Sequence, residues 1–251
     1  MKKDKKKIKE NFLDGLRESR EHFITYAHRG ASEYRPENTL SSFDLGLEMG
    51  ANGIECDVQR AKDGTLVIFH DETLARVTGE EGSVKDYTYD ELQKFSVRNG
   101  ELTDRIPTFE EFLTRYAKEN IAFAIELKVD GIEREVADAI FRHGIEKKCT
   151  VTSFALDRLE KIKSYAPNLR IGYLTSDVSD ETVAKLVDIG ADELCPKATD
   201  VTAERVSAWH RLGFNVRAWG VSNEELMKTV YDAGVDGMTV NFPDKLIEYI
   251  G

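Results

Sequence analysis

Long hydrophobic runs are missing from this sequence: the longest are strand-sized, as in Leu66-Val67-Ile68-Phe69, far below the roughly 18 uncharged residues of a membrane span. Proline is scarce, with 5 in 251 residues, and glycine numbers 18, which excludes collagen-like and low-complexity chains. Basic residues are outnumbered, 35 Lys and Arg against 46 Asp and Glu for a net charge of -11, and a nucleic-acid partner is not expected. Cysteine occurs three times, at Cys56, Cys149 and Cys195, each in an apolar, strand-like context. An odd set of this kind reads as reduced core thiols, not as a disulfide framework. The opening MKKDKKKIKE is lysine-rich, but the NFLDGLRESREHF that follows lacks the apolar segment of about 7 to 15 residues needed for export. A lysine-rich extension over residues 1–20 and a cytoplasmic location without export are therefore expected.

What is present is a core-forming chain, 41% hydrophobic, of a length that α/β barrels use as one domain. Short apolar runs at 22–28, 53–59, 121–128, 149–154, 170–175, 193–197, 216–221 and 238–242 read as strands. Helical periodicity separates most of them, at 39–49, 108–119, 132–143, 156–165, 180–189, 202–212 and 223–232. Eight strands alternating with helices predict a single (β/α)8 TIM barrel over residues 1–251. One stretch breaks the alternation. Lys62-Asp63-Gly64 is a turn signal, and the apolar run from Leu66 follows too closely for a helical crossover, so it is expected to return as a hairpin. Residues 72–107 are polar, with a short helical piece near 89–95, and are expected to form a small insertion after the second strand.

Residues two apart on a strand share a face, so Glu55 and Asp57 point into the barrel while Ile54, Cys56 and Val58 meet the helices. Burying adjacent carboxylates is costly unless a cation shares them, and hard oxygen ligands suit Mg²⁺ or Ca²⁺. Ala122, Ala124, Glu126 and Lys128 share a face of the next strand, which makes Glu126 a third candidate ligand; the alternative is a set of internal salt bridges. His28 closes the first strand and His70 the hairpin strand, so two imidazoles reach the same rim as a candidate acid/base pair. Arg29 offers a fork for phosphate oxygens and Lys128 a compact charge. Trp219 shares a face with Arg217 and Val221 and is a candidate contact for the alcohol part of a substrate, or a packed barrel residue. Asn38 reads as the N-cap of the first helix, with Glu37 beside it a candidate partner of the site histidine or arginine.

His28-Arg29-Gly30, Pro36-Glu37-Asn38-Thr39, Glu55-Cys56-Asp57-Val58, His70-Asp71 and Leu74-Ala75-Arg76 together resemble the glycerophosphodiester phosphodiesterase family. The likeness continues through Ile106 to Glu111, Ile125-Glu126-Leu127-Lys128, Ala218-Trp219 and Gly234-Val235-Asp236-Gly237, and so covers nearly all of the chain after the first twenty residues. It implies a (β/α) barrel with a small insertion, His28 and His70 as acid and base, Glu55, Asp57 and Glu126 as metal ligands, and Arg29 and Lys128 on phosphate. Asn241 departs from the pattern, standing where such proteins often carry Asp.

The function this implies is metal-dependent hydrolysis of a small glycerophosphodiester to an alcohol and sn-glycerol 3-phosphate. The attacking oxygen is either water or the substrate's own glycerol 2-hydroxyl. Two rivals differ in kind: a lysophospholipase D, which needs an apolar groove for an acyl chain, and a non-catalytic phosphate-binding barrel, which has no use for a complete set of catalytic positions.

Overall fold

The computed structural model describes residues 23–251. The lysine-rich extension, and His22 at the start of the first expected strand, lie outside the described residues. Eight parallel strands form the barrel: β1 (Ile24–His28), β2 (Gly53–Arg60), β6 (Ala122–Leu127), β7 (Cys149–Ser153), β8 (Arg170–Thr175), β9 (Glu193–Pro196), β10 (Asn215–Ala218) and β11 (Gly237–Val240). Each pairs with the next, and β1 pairs with both β11 and β2, which closes the sheet into the expected (β/α)8 barrel without a free edge. β3 (Leu66–Ile68) runs antiparallel to the end of β2, with Val58 opposite Ile68, as the turn signal predicts.

The outer helices are α1 (Leu40–Glu48), α4 (Phe109–Tyr116), α5 (Glu133–Arg142), α6 (Leu156–Tyr165), α7 (Asp180–Asp188), α8 (Ala203–Arg211), α9 (Glu224–Asp232) and α10 (Pro243–Ile250). Local chemistry starts several of them. Thr108 and Glu111 form a reciprocal capping box on α4, and Ser179, Thr202 and Asn223 each accept a backbone N–H of the first turn of α7, α8 and α9. Between strands and helices lies the apolar core, in which Ile54, Cys56, Val58, Phe123 and Ile125 pack against Phe43, Phe112 and Val136. The same role falls to Leu194, Val216 and Met238 against Leu186, Val206 and Val230 on the far side. Among the described residues no helix is long and apolar enough to cross a membrane.

Inside the barrel, beneath the rim, the filling is polar: Glu193 and Arg217 form a buried ion pair, and the Arg217 guanidinium lies 5.2 Å from the Tyr26 ring centre. Gly53 makes room for that ring, because a Cβ there would stand 2.7 Å from it. The insertion comprises α2 (Ala75–Thr78), a 3-10 turn at Val84–Asp86, α3 (Tyr89–Leu92) and a hairpin of β4 (Ser96–Asn99) with β5 (Leu102–Arg105). Its surface is polar, but Leu74, Val84, Leu92, Val97 and Ile106 are buried in a core of their own on Val67 and Phe69. The hairpin leans on the β1–α1 loop, where Asn99 Nδ2 donates to Ser32 O at 3.2 Å and Arg35 O at 3.1 Å.

Candidate active site

Strand register assembles the rim. Across β1 and β2, His28 stands opposite Glu55, and across β2 and β6, Asp57 stands opposite Glu126. The alternation that sends Ile54, Cys56 and Val58 to the helices turns Glu55 and Asp57 inward, where both are buried. Glu55, Asp57 and Glu126 each bring one oxygen within 4.8 Å of the others, a set that can hold a metal ion. Arg29, His70 and Lys128 surround them, so the structure brings together every expected site residue except Trp219, which stands farther round the rim. There it meets Phe154 edge to face at 4.9 Å and donates from Nε1 to Thr175 O at 3.3 Å.

Two residues at the rim sit in the left-handed region that L side chains disfavour, Arg29 at φ 57° and Asn38 at φ 58°. Hydrogen bonds hold both. Arg29 N donates to Glu55 O at 3.0 Å and Glu55 Oε2 at 3.1 Å, and Asn38 N donates to Arg29 O at 2.9 Å. Asn38 is not the cap of α1. Thr39 takes that position, accepting from Ser42 N, because the left-handed turn at Asn38 aims its amide inward, where Nδ2 donates to Asp57 Oδ2 at 2.8 Å. Gly30, at φ 84°, completes the turn, and any Cβ there would strike Ser42 at 2.4 Å.

The charges at the centre do not balance. Arg29 Nε lies 3.3 Å from Asp57 Oδ2, but its Nη1 is committed to Glu37 Oε1 at 2.9 Å. Lys128 Nζ donates to Glu126 Oε1 at 2.7 Å and stays 3.7 Å from Asp57 Oδ1, which is buried without a hydrogen bond. Burial and the charges of Asp57 and Glu126 push Glu55 well above the ordinary carboxyl range. Burial and Asp57 raise Glu126 to about 7, with Lys128 opposing. Burial also acts on Asp57, but Arg29 and Lys128 prevail and hold it down at about 2. Three carboxyls that cannot ionise together, one with an orphaned oxygen, form a donor set that fits a hard divalent cation.

The histidines are held from behind by unlike partners. His28 Nδ1 faces Asn241 Oδ1 at 2.6 Å, so Nδ1–H donates and Nε2 carries the lone pair, 3.8 Å from Glu55 Oε2. Burial and the neighbouring Arg29 push His28 down to about 4. His70 Nδ1 instead donates to the Asp71 carboxylate at 2.6 Å; burial lowers its pKa, while Asp57 and Asp71 oppose the fall. A cavity of about 370 Å³ opens beside His70 and Lys128, bounded by Gln59, Ser83, Lys85 and Arg158. Elsewhere His143 pairs with Glu110 and His210 with Asp236.

A closed (β/α)8 barrel with carboxylates, histidines and cations gathered at the C-terminal strand ends has the form of a barrel enzyme, whose active sites lie at that face. The profile of the Glycerophosphoryl diester phosphodiesterase family matches residues 28–245, and the chain belongs to that family of enzymes. It is 35% identical over 236 residues to a glycerophosphodiester phosphodiesterase from Caldanaerobacter subterraneus subsp. tengcongensis, covering 90% of this chain and 97% of the relative. A putative glycerophosphoryl diester phosphodiesterase from Silicibacter pomeroyi superposes with a TM-score of 0.83 at 26% identity, over 91% of this chain and 92% of the other. A phosphodiesterase from Oleispira antarctica, solved in complex with the product sn-glycerol-3-phosphate, gives a TM-score of 0.79 at 26% identity, over 90% and 96%.

Proposed function

We propose that this protein hydrolyses glycerophosphodiesters to an alcohol and sn-glycerol 3-phosphate, using a divalent cation, Mg²⁺ or Ca²⁺, on Glu55, Asp57 and Glu126. The observation that carries this reading is the triad: carboxyl oxygens of three buried residues within 4.8 Å of one another, beside a histidine whose Nε2 lies 3.8 Å from Glu55 Oε2. A bound divalent ion supplies charge neutralisation at the phosphoryl oxygens and a lower pKa for a coordinated hydroxyl. Arg29 and Lys128 bind the remaining phosphate charge, and Arg29 is preset for it by its bonds to Glu55 and Glu37. His28 Nε2 takes the proton of the attacking oxygen as its bond to phosphorus forms. His70 gives a proton to the departing alkoxide as the old ester bond breaks. Trp219, with Phe154, forms an apolar wall for the organic part of the substrate. The location proposed is cytoplasmic, which suits three buried thiols that are not paired with one another.

The test is release of glycerol 3-phosphate from a panel of deacylated and singly acylated diesters with Mg²⁺ or Ca²⁺. Turnover of the deacylated substrates supports the reading, and turnover of the acylated ones alone replaces it with a lysophospholipase D. Binding without turnover leaves only a phosphate-binding barrel.

A further inference from the structure

We propose that Arg76 is a positioning residue whose single guanidinium locks the orientation of His70 to that of Arg29. Neither tie is direct. Arg76 Nε donates to Asp71 Oδ2 at 2.5 Å and Nη2 to Asp71 Oδ1 at 3.0 Å, and that same Oδ1 accepts His70 Nδ1 at 2.6 Å. The other edge of the fork reaches Glu37. Nη1 donates to Glu37 Oε2 and Nη2 to Glu37 Oε1, both at 2.7 Å, and that Oε1 also accepts Arg29 Nη1 at 2.9 Å. One residue thus engages both oxygens of two carboxylates, and each carboxylate holds a different member of the active site.

The arrangement needs a guanidinium. Asp71 and Glu37 are like charges that would repel and rotate apart, and only a planar fork with several fixed donors satisfies both at once; a lysine ammonium offers a point charge without that geometry. Arg76 is itself steady because of where it is rooted. It belongs to α2, whose neighbours Leu74 and Val77 are buried in the insertion's core, and Gly79 closes that turn in the left-handed conformation. The backbone at Asp71 is pinned independently, since Gln59 Nε2 donates to Asp71 O at 2.6 Å. Arg76 therefore ties the insertion to both His70 and Arg29 while touching no reacting atom itself. That side chain is 48% exposed, so truncating it opens no cavity in the core.

This inference rests on the proposed phosphodiesterase reading, and steady-state kinetics separate the two. Wild type that releases no glycerol 3-phosphate defeats that reading, whereas active wild type with an unimpaired Arg76→Ala variant defeats only the role of Arg76. We expect Arg76→Ala to show the combined signatures of its two arms: kcat lower by about 10- to 100-fold through Asp71 and His70, and KM higher by several-fold through Glu37 and Arg29. Its melting temperature should stay within a few degrees of the parent. Arg76→Lys should remain as impaired, and added guanidinium should restore part of the rate to the alanine variant but not to wild type. In an Asp71→Asn, Glu37→Gln background the further loss on removing Arg76 should shrink to about 2-fold or less. A full multiplicative loss in that background would overturn the proposal, as would wild-type rates in Arg76→Lys, and Arg76→Lys carries the comparison alone if the alanine variant does not fold.

Discussion

His28 Nδ1 lies 2.6 Å from the amide oxygen of Asn241, whereas His70 Nδ1 lies 2.6 Å from the carboxylate of Asp71. A neutral acceptor fixes a tautomer and favours the imidazolium only modestly, whereas a charged acceptor favours it more. We propose that the pair is thereby divided into a base at His28 and an acid at His70, in the sense that Arg29, next to His28 in sequence, also favours. Asn241, which looks like a lost charge in the sequence, is the residue that holds His28 Nδ1.

Asn241→Asp should raise the basicity of His28. In the parent, His28 sits at about 4, below the free imidazole, so it is neutral and competent across the neutral range. With a carboxylate behind it, the acid limb of the kcat–pH profile at saturating metal should move up by about one unit or more, with loss at pH 5–6 and little change at pH 8. An unmoved limb would remove His28 from the role of base.

The leaving group separates the two roles further. His28→Ala and His70→Ala should each lower kcat on a natural diester by about 10² to 10⁴ with modest effects on KM. With p-nitrophenol as the departing alcohol no proton is needed on the leaving oxygen, so His70→Ala should recover much of its rate while His28→Ala should not. Rescue of the opposite variant would exchange the assignments.

Much of this site is legible in the amino-acid sequence. Alternation along a single strand gives the inward face of Glu55 and Asp57, and the same rule gives Glu126 and Lys128, because strand periodicity is a local property. What escapes a local reading is held by distant partners. Asn38 looks like a cap because Asn before a helix ordinarily is one; its actual partner, Asp57, is 19 residues away. The insertion's core is spread over Leu74, Val84, Leu92, Val97 and Ile106, with no period to announce it. The hairpin of β4 and β5 lacks the apolar runs that mark the barrel strands, whereas α10 does carry a signal, Pro243 in its first turn, and Arg76 joins carboxylates 34 residues apart in the sequence.

Metal binding should release protons. Glu126 is raised to about 7 and Glu55 well above 4.5 in the metal-free protein, so both retain protons near neutrality that a divalent ion must expel. Affinity should therefore rise steeply between pH 6 and 8, and titration calorimetry in buffers of different ionisation heat should count the protons released. The sign for stability follows: carboxyls with raised folded pKa values stabilise fully below about 4.5 and lose that contribution as pH passes through their folded values, so the metal-free protein should melt lower at pH 8 than at pH 5. Metal should reverse the trend. Binding without proton release and independent of pH would contradict the electrostatics described for the triad.

Replacing residues 72–107 with a short Gly/Ser linker should leave the barrel folded, because its eight strands and eight outer helices lie outside that segment. We propose that the segment shapes the alcohol side of the substrate. Its removal should lower kcat by about 10² or more, since Arg76 goes with it, and should alter the ranking of substrates. Far-ultraviolet circular dichroism and a cooperative melt would report a retained barrel, and a molten product would show that the insertion core supports it.

The most direct measurement is glycerol 3-phosphate release after exhaustive chelation and metal return, in the parent and in Glu55→Gln, Asp57→Asn and Glu126→Gln. No more than residual release is expected in chelator, with recovery in the parent on adding Mg²⁺ or Ca²⁺, and weakened metal affinity with lowered rate in every variant. Full activity in excess chelator, or an unimpaired variant at any of the three carboxylates, would contradict the proposed metal role.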